Sequence, residues 1–412
     1  MRRTLLLLIF LPALLWAQED ANKEDANKLK FNYKGFIDTY HAMRASGDHD
    51  YMSSRTRARL EGGLEKGSTS GFISLNAAFN PIVKKQSGLF LREAFVEHSQ
   101  KKWGIKLGRQ IVSWGVADGL QVTDIISPMD YTEFLAQDYD DIRIPVNALR
   151  LSYGGMSVKA EVIFVPVPEY YELPTDPKNP WGISLNGMNC EMNHHTPSKR
   201  ISHSEYGARL SAYLNSVDFS FCALRTYNKT PAFSLAGITP EGFISVDAYY
   251  GRMTMLGADL SASVGNFVIR AEAAAYLDML HTPKNYMGAA KRENDLVSLI
   301  GMDWYPGNDW TLMLQYCHTH IFGDEELSDY HNSGMATVNI SKALLRNTMK
   351  LGAFGRIDCA NNGAFFIRFN ADYQLTDDIA ITLGYDWFRA DAGMFALYKD
   401  NSEIWGKVKY SF

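Results

Sequence analysis

The amino-acid sequence predicts an all-β fold: a transmembrane antiparallel up-and-down β-barrel of about 18 strands, with about 16 as the alternative. Three observations predict it. Segments of about ten residues alternate apolar and polar side chains from Leu29 to the end of the chain. Tight turns and long polar loops alternate between these segments. The chain ends on an aromatic residue, in the stretch WGKVKYSF.

The alternation is plain in RTRARLEGGLE, residues 55–65, where Arg55, Arg57 and Arg59 share one parity and small or apolar residues share the other. Because side chains alternate across a strand, one face is charged and the other apolar. Further segments, among them EYGARLSAYL, FVIRAEAAAYLDM and AFFIRFNADYQL, repeat the pattern. By the same parity we expect four more inward-facing arginines, which are Arg150, Arg209, Arg270 and Arg368.

The connections predict which end of each strand faces which compartment. Tight turns such as GN at 265–266 and LTDD at 375–378 alternate with long polar stretches such as 167–203 and 229–251. Short periplasmic turns and long extracellular loops are typical of outer-membrane barrels. We expect strands to begin near residues 29, 50, 70, 88, 103, 146, 157, 204, 217, 252, 266, 294, 310, 335, 346, 363, 378 and 402. Without those near 335 and 346 the count is about 16.

Composition and the N-terminus indicate an exported protein. The chain has 412 residues, is 13% aromatic and carries a net charge of −5, which argues against a nucleic-acid partner. Residues 1–17 have the positive start and short apolar core of a signal peptide, and 18–28 form a polar periplasmic leader with an EDANK repeat. The barrel is expected over 29–412, in the outer membrane of a Gram-negative cell.

The C-terminal strand accounts for the last residue. Ile404, Val408, Tyr410 and Phe412 share one parity and would face outer-membrane lipid. The ending resembles the C-terminal signature that the barrel-assembly machinery reads, so Phe412 predicts that machinery as a partner. A soluble β-sandwich or propeller would explain neither this terminal aromatic nor the asymmetry of the connections.

The segment 114–145 predicts a constriction. It is rich in acidic residues, and no Lys or Arg interrupts them before Arg143. A loop of this length is usually functional or disordered, and its apolar content favours folding into the barrel. The acidic residues assigned to the constriction are Asp118, Asp124, Asp130, Glu133, Asp140 and Asp141, and Arg143 is assigned to it with them.

An acidic loop facing the inward arginines would create a field across the pore, and charged rings set the selectivity of pores for ionic solutes. The alternative is that the Arg–Asp pairs only brace the loop against the wall. Arg109 shares the parity of outward-facing residues, so either a bulge shifts the register there or this arginine lies near a membrane interface.

Residues 91–153 contain LREAFVE, LGRQIVSWGVADGL, TDIISPMDYTEF and DIRIPVNALR. This block resembles a family of porin-like bacterial outer-membrane barrels of unknown function, and the final third of the chain resembles it more weakly. The resemblance implies an outer-membrane barrel. Members are often encoded near exporters of the resistance-nodulation-division type, which implies an exporter as a partner but no particular substrate.

The favoured function is a porin-like channel, monomeric or homotrimeric, for small hydrophilic or ionic solutes. One alternative is an outer-membrane component of an export or lipid-handling system with such an exporter. Another is a surface receptor or adhesin built on the long loops. No catalytic spacing, phosphate loop or dinucleotide motif is present, so neither an enzyme nor a cofactor is expected.

Two polar clusters fit no defined metal site. The first contains Cys190, Glu191, His194, His195 and His203. The second contains His318, His320, Asp324, Glu325 and Glu326. A solvated loop surface is the favoured interpretation of both, so no metal is expected. Cys190, Cys222, Cys317 and Cys359 allow three disulfide pairings, and sequence alone does not choose between these and unpaired thiols.

Overall fold

A computed structural model describes residues 28–134, 141–176, 178–185, 188–361 and 363–412. The expected signal peptide, nearly all of the expected leader, and Asp140 lie outside these residues. The described chain forms 22 strands.

Eighteen of the strands share one sheet. They are β1 (Lys30–Arg44), β2 (Tyr51–Lys66), β3 (Thr69–Phe79), β4 (Gly88–Ser99), β5 (Trp103–Gln110), β6 (Val146–Gly154), β7 (Val158–Val165), β10 (Glu205–Tyr213), β11 (Val217–Tyr227), β14 (Arg252–Val264), β15 (Phe267–His281), β16 (Lys291–Gly307), β17 (Trp310–Ile321), β18 (Asn332–Leu344), β19 (Met349–Asp358), β20 (Ala364–Gln374), β21 (Ile379–Arg389) and β22 (Glu403–Ser411). Loop segments form a second sheet from β8 (Ser184–Leu185), β9 (Met188–His195), β12 (Ala232–Ile238) and β13 (Ile244–Tyr249).

The sheet closes because β1 pairs with β22, in antiparallel register from Phe36 opposite Ser411 to Arg44 opposite Glu403. Beyond that register, Gly35 and Phe412 exchange two backbone hydrogen bonds of 2.9 Å each. The predicted 18-stranded antiparallel barrel is therefore confirmed, and the 16-stranded alternative is wrong. The two strands in doubt, expected near 335 and 346, are β18 and β19.

The two faces of the sheet differ as the period of two requires. Outward-facing Leu60, Ile300 and Ile404 are 50%, 62% and 61% exposed, while inward-facing Arg55 and Glu403 are almost fully buried. Apolar residues on the outer face suit a lipid environment, and closure leaves no sheet edge to be satisfied within it. No helix in the described part of the chain is both long and apolar enough to cross a membrane.

The connections are short at one end of the barrel and long at the other. Residues 67–68, 265–266 and 308–309 make two-residue turns. At the opposite end lie the loops 111–145 and 166–204, which we call the first and second inner loops because both reach the interior.

The interior contains two apolar clusters. In one, Val112, Trp114 and Ile126 of the first inner loop pack against buried wall residues such as Ile163 and Met255. The other combines parts of both inner loops and of the last loop with the wall, and its members include Phe134, Trp181, Phe366, Phe388, Phe395 and Tyr398. Burial of these side chains stabilises a folded loop inside the barrel, at roughly 25 cal/mol for each Å² of apolar surface removed from water.

None of the three possible disulfide pairings is formed in the part of the chain that the structure describes. Cys222 and Cys317 are buried free thiols, and Cys359 is an exposed one. Cys190 is buried in the small loop sheet, where its strand β9 runs parallel to β13.

Candidate pore constriction

The arginine ladder of β2 faces the interior and contacts the first inner loop. Arg55 Nη1 lies 3.0 Å from Glu133 Oε2. Arg57 and Arg59 each place Nη2 2.9 Å from a different oxygen of Asp141. Three residues that alternate along one strand therefore hold two carboxylates of the loop.

Asp141 is the most heavily contacted of these carboxylates. Burial disfavours its ionised form, but the guanidinium groups of Arg57, Arg59 and Arg92 outweigh burial and lower the pKa of Asp141 well below its usual range. Arg92, on β4, also donates to the backbone carbonyl of Asp141 over 3.0 Å. Asp141 is therefore a permanent negative charge next to the wall.

A single wall carboxylate anchors the opposite end of the loop. Glu272 of β15 accepts hydrogen bonds from the backbone N–H and the hydroxyl of Thr123, both over 3.1 Å. It also accepts the backbone N–H groups of Val116 and Ala117. Gly115 permits this approach, because its φ is +105° and a Cβ there would lie 2.8 Å from Glu272 Oε1.

Other wall residues hold the loop in between. Trp114 donates its ring N–H to Glu161 of β7 over 2.9 Å. Gln315 of β17 donates to the carbonyl of Asp118 over 2.7 Å and accepts its N–H over 3.0 Å. Arg356 of β19 donates to the carbonyl of Gly119. The loop is thus tied to strands from several parts of the wall.

The remaining predicted arginines have other partners than the acidic loop. Arg150 pairs with Glu161 at 2.6 Å, Arg209 with Asp259 at 2.9 Å and Arg368 with Asp386 at 2.5 Å. These carboxylates lie on nearby strands of the wall and face inward. The three arginines therefore form ion pairs within the wall and not with the acidic loop.

Two further contacts join residues that the sequence assigns to the constriction. Arg270 contacts Asp303 of β16 at 2.6 Å and Asp118 of the loop at 3.4 Å. Asp124 pairs with Arg143 inside the first inner loop itself. The structure therefore brings Asp118, Asp141 and Glu133 to the wall, whereas Asp124 stabilises the loop.

A cavity of about 550 Å³ remains between the loops and the wall near β2–β5. Its basic lining residues are Arg55, Arg57, Lys85, Arg92, Arg109 and Arg143, and its acidic ones are Asp130, Asp141, Glu169, Glu172 and Asp176. Arg59, Asp118 and Asp124 are not among its lining residues.

The second inner loop also lines this cavity, which was not predicted from the sequence. Glu169, Glu172 and Asp176 lie in that loop. Their only sequence signal is an acidic character in a long loop, which does not indicate a direction into the lumen.

Arg109 also lines the cavity, although it shares the parity of outward-facing residues. The register between β3 and β4 shifts at Leu75, leaving Arg92 as the extra residue, but the β4–β5 register that contains Arg109 has no shift. The residue before it, Gly108, has a φ of +136°. The Nε of Arg109 donates to the carbonyl of Leu91 over 3.2 Å.

Asp130 and Glu172 form an acidic pair where the two inner loops meet. Their backbones make a parallel bridge, and Tyr131 donates to the carbonyl of Glu172 over 2.8 Å. Burial raises the pKa of Asp130. Burial, and then the negative charge of Asp130, raises the pKa of Glu172. Neither carboxylate has a salt bridge within the described chain.

The two polar clusters of the sequence have ordinary partners. His195 Nε2 lies 3.1 Å from Asp247, and His194 Nδ1 lies 2.9 Å from the hydroxyl of Tyr250. At the rim, Glu325 pairs with Lys291 at 2.9 Å. Among the residues with described positions, no group of three or more His, Cys, Asp or Glu could hold a metal ion.

Closed 18-stranded geometry, an apolar exterior and infolded loops define a porin-like outer-membrane β-barrel fold. The chain belongs to the family described as "Protein of unknown function (DUF1302)", which matches residues 18–412. No curated protein matches the sequence.

Solved structures share the fold at low sequence identity. OccAB1 of Acinetobacter baumannii is 10% identical with a TM-score of 0.54, over 95% of this chain and 99% of that one. OccK3 (OpdO) of Pseudomonas aeruginosa is also 10% identical with a TM-score of 0.54, over 93% and 96%. OccK2 (OpdF) of the same organism, in complex with glucuronate, is 9% identical with a TM-score of 0.53, over 93% and 97%.

Proposed function

We propose that the protein is an outer-membrane channel through which small hydrophilic or ionic solutes pass. The observation that carries this proposal is the cavity between the β2–β5 wall and the two inner loops, with charged residues of both signs along it. A transmembrane barrel needs no charged interior for its stability in lipid, whereas charged linings are what selects among ions and polar solutes.

The arginine ladder has two roles in this proposal. Its ion pairs with Glu133 and Asp141 brace the first inner loop, and Arg55 and Arg57 also border the space that remains. Bracing fixes the width of the opening, because a loop held at several points of the wall cannot move aside. The same pairs then set the charge that a passing solute meets.

The cellular setting is part of the proposal. Phe412 is half exposed beside the closing seam, in keeping with recognition of the C-terminal strand by the barrel-assembly machinery. Export through residues 1–17 and a homotrimeric state belong to the same expectation. Fractionation of cell envelopes and chemical cross-linking in membranes would test location and assembly.

Planar-bilayer recording of the purified protein tests the channel directly. We expect ohmic current steps whose reversal potential in a salt gradient depends on the charged lining. Bilayers that stay silent, although folded protein is shown to insert, would reject the channel. They would favour the alternative of an export component that conducts only with its partner exporter.

A further inference from the structure

The cavity has charges of both signs without close partners. Among its acidic lining residues, Asp130, Glu172 and Asp176 have no salt bridge within the described chain. Among its basic ones, Lys85 has none either, and Arg109 lies 3.9 Å from Glu169. A solute in the cavity therefore meets charge of both signs.

Apolar side chains also border the cavity, and these are Val83, Phe90, Leu91, Ile142, Ile144 and Leu173. Its volume lies within the range of about 300–1,000 Å³ that is usual for small-molecule sites. A solute that fits therefore combines charges of both signs with hydrocarbon.

We propose that this cavity binds small zwitterions with an apolar body, such as a dipeptide of apolar residues. The ammonium group contacts Asp130 and Glu172, the carboxylate contacts Lys85 and Arg109, and the apolar side chains contact Phe90, Leu91 and Leu173. This names a solute class for the proposed channel, and so rests on that function for its biological meaning, although binding itself does not require conduction.

The charge requirement separates this proposal from simple screening. A cation would be attracted by Asp130 and Glu172 but repelled by Lys85 and Arg109. An anion would be attracted by Lys85 and Arg109 but repelled by Asp130 and Glu172. Only a molecule with both ends charged gains at both sites. Charge-assisted hydrogen bonds are roughly twice as strong as neutral ones, so loss of either end should weaken binding by about tenfold or more.

Isothermal titration of the full-length protein in detergent tests this with four matched probes. These are leucyl-leucine, its N-acetyl form, its C-terminal amide and the form capped at both ends. We expect leucyl-leucine to bind with a Kd at least about tenfold below that of each capped form. Equal affinities, or tightest binding by a singly charged form, would overturn the proposal.

Variants assign the two ends. Glu172→Gln should weaken leucyl-leucine and its amide but leave the N-acetyl form unchanged, whereas Lys85→Gln should weaken leucyl-leucine and the N-acetyl form but not the amide. Lys85 is exposed, so its replacement does not endanger folding. Glu241→Gln, in an exposed turn of the loop sheet, is the control. Variants that weaken all four probes alike, or none, would contradict the assignment.

The titration and the bilayer recording can give independent results, so failure of the binding site and failure of the channel can be told apart. Silent bilayers with selective binding of leucyl-leucine would reject the channel and retain the site. Ohmic steps without selective binding would retain the channel and reject the zwitterion as its solute.

Discussion

Thr123 of the first inner loop donates both its backbone N–H and its hydroxyl to Glu272 of β15, each over 3.1 Å. The two residues are far apart in sequence, and their contact closes one end of the folded loop against the wall. Glu272 is almost fully buried, so water could not replace its carboxylate oxygens as acceptors if they were removed.

Glu272→Gln should therefore loosen the loop. An amide retains one acceptor oxygen but places its N–H groups where the other oxygen was, so they face either the N–H groups of Val116 and Ala117 or the donors of Thr123. This should cost about 1–3 kcal/mol in free energy of unfolding. Urea unfolding in lipid vesicles, followed by tryptophan fluorescence, measures the loss. Glu65→Gln, at an exposed end of β2, is the control, and equal stability of the two variants would refute the anchor.

Gly115→Ala tests the close approach of loop and wall. The added Cβ would meet Thr123 Oγ1 at 2.7 Å and Glu272 at 2.8 Å, in addition to an unfavourable φ of +105°. Gly242→Ala isolates the backbone effect, because Gly242 has a φ of +84° and nothing within 4 Å of its Cβ position. We expect Gly115→Ala to cost about 1–3 kcal/mol more than the control in the same unfolding assay. Equal costs would mean that the contact is not tight.

Arg57→Gln tests the ladder. It leaves Asp38 and Asp141 without their shared guanidinium, which lies 2.5 Å and 2.9 Å from them, so stability should fall by about 3–5 kcal/mol. The reversal potential in a salt gradient should shift toward cations, since the lining then has one positive charge fewer.

Arg209→Gln is the matched control for that shift. It also breaks a buried pair, with Asp259 at 2.9 Å, but Arg209 does not border the cavity. Its stability should fall while its ion selectivity stays that of the wild type. A selectivity change in Arg209→Gln, or none in Arg57→Gln, would contradict the assignment of the ion path.

Selectivity should also depend on pH. Burial raises the pKa of Asp130 and of Glu172, so both lose their protons at a higher pH than the usual value of about 4. Raising the pH through this window adds negative charge to the cavity, and cation permeability should rise. Asp141 contributes nothing to the change, because its lowered pKa keeps it ionised throughout.

Burial also raises the pKa of Glu169, which lines the same cavity. Reversal potentials recorded from pH 4 upward would show the transition, and the triple variant Asp130→Asn, Glu169→Gln, Glu172→Gln should abolish it. A transition that survives in the triple variant would place the titrating groups elsewhere.

Local patterns explain why the barrel could be predicted from sequence. Strand parity depends only on a period of two, so the inward position of Arg55 and the outward position of Ile404 follow from their neighbours. Turn residues mark the strand ends for the same reason. The 18 strands begin within about three residues of the expected positions.

The lining of the cavity depends on contacts between distant segments, which no local pattern encodes. Glu172 enters because the second inner loop pairs with Asp130, and Arg109 lines the cavity although its parity is that of outward-facing residues. The wall partners of Arg209 and Arg368 could have been found by listing inward-facing carboxylates such as Asp259 and Asp386.

Thiol modification at Ala78 tests most directly whether the cavity is the conducting path. Ala78 on β3 borders the cavity, whereas its neighbour Ala77 lies on the opposite, exposed face of the same strand. Each is replaced by cysteine in a Cys359→Ser background, because Cys359 is an exposed thiol. A negatively charged methanethiosulfonate reagent is then added during bilayer recording, and mass spectrometry verifies its attachment. We expect single-channel conductance to fall in Ala78→Cys and not in Ala77→Cys. Unchanged conductance of a fully modified Ala78→Cys protein would show that the cavity is not the conducting path.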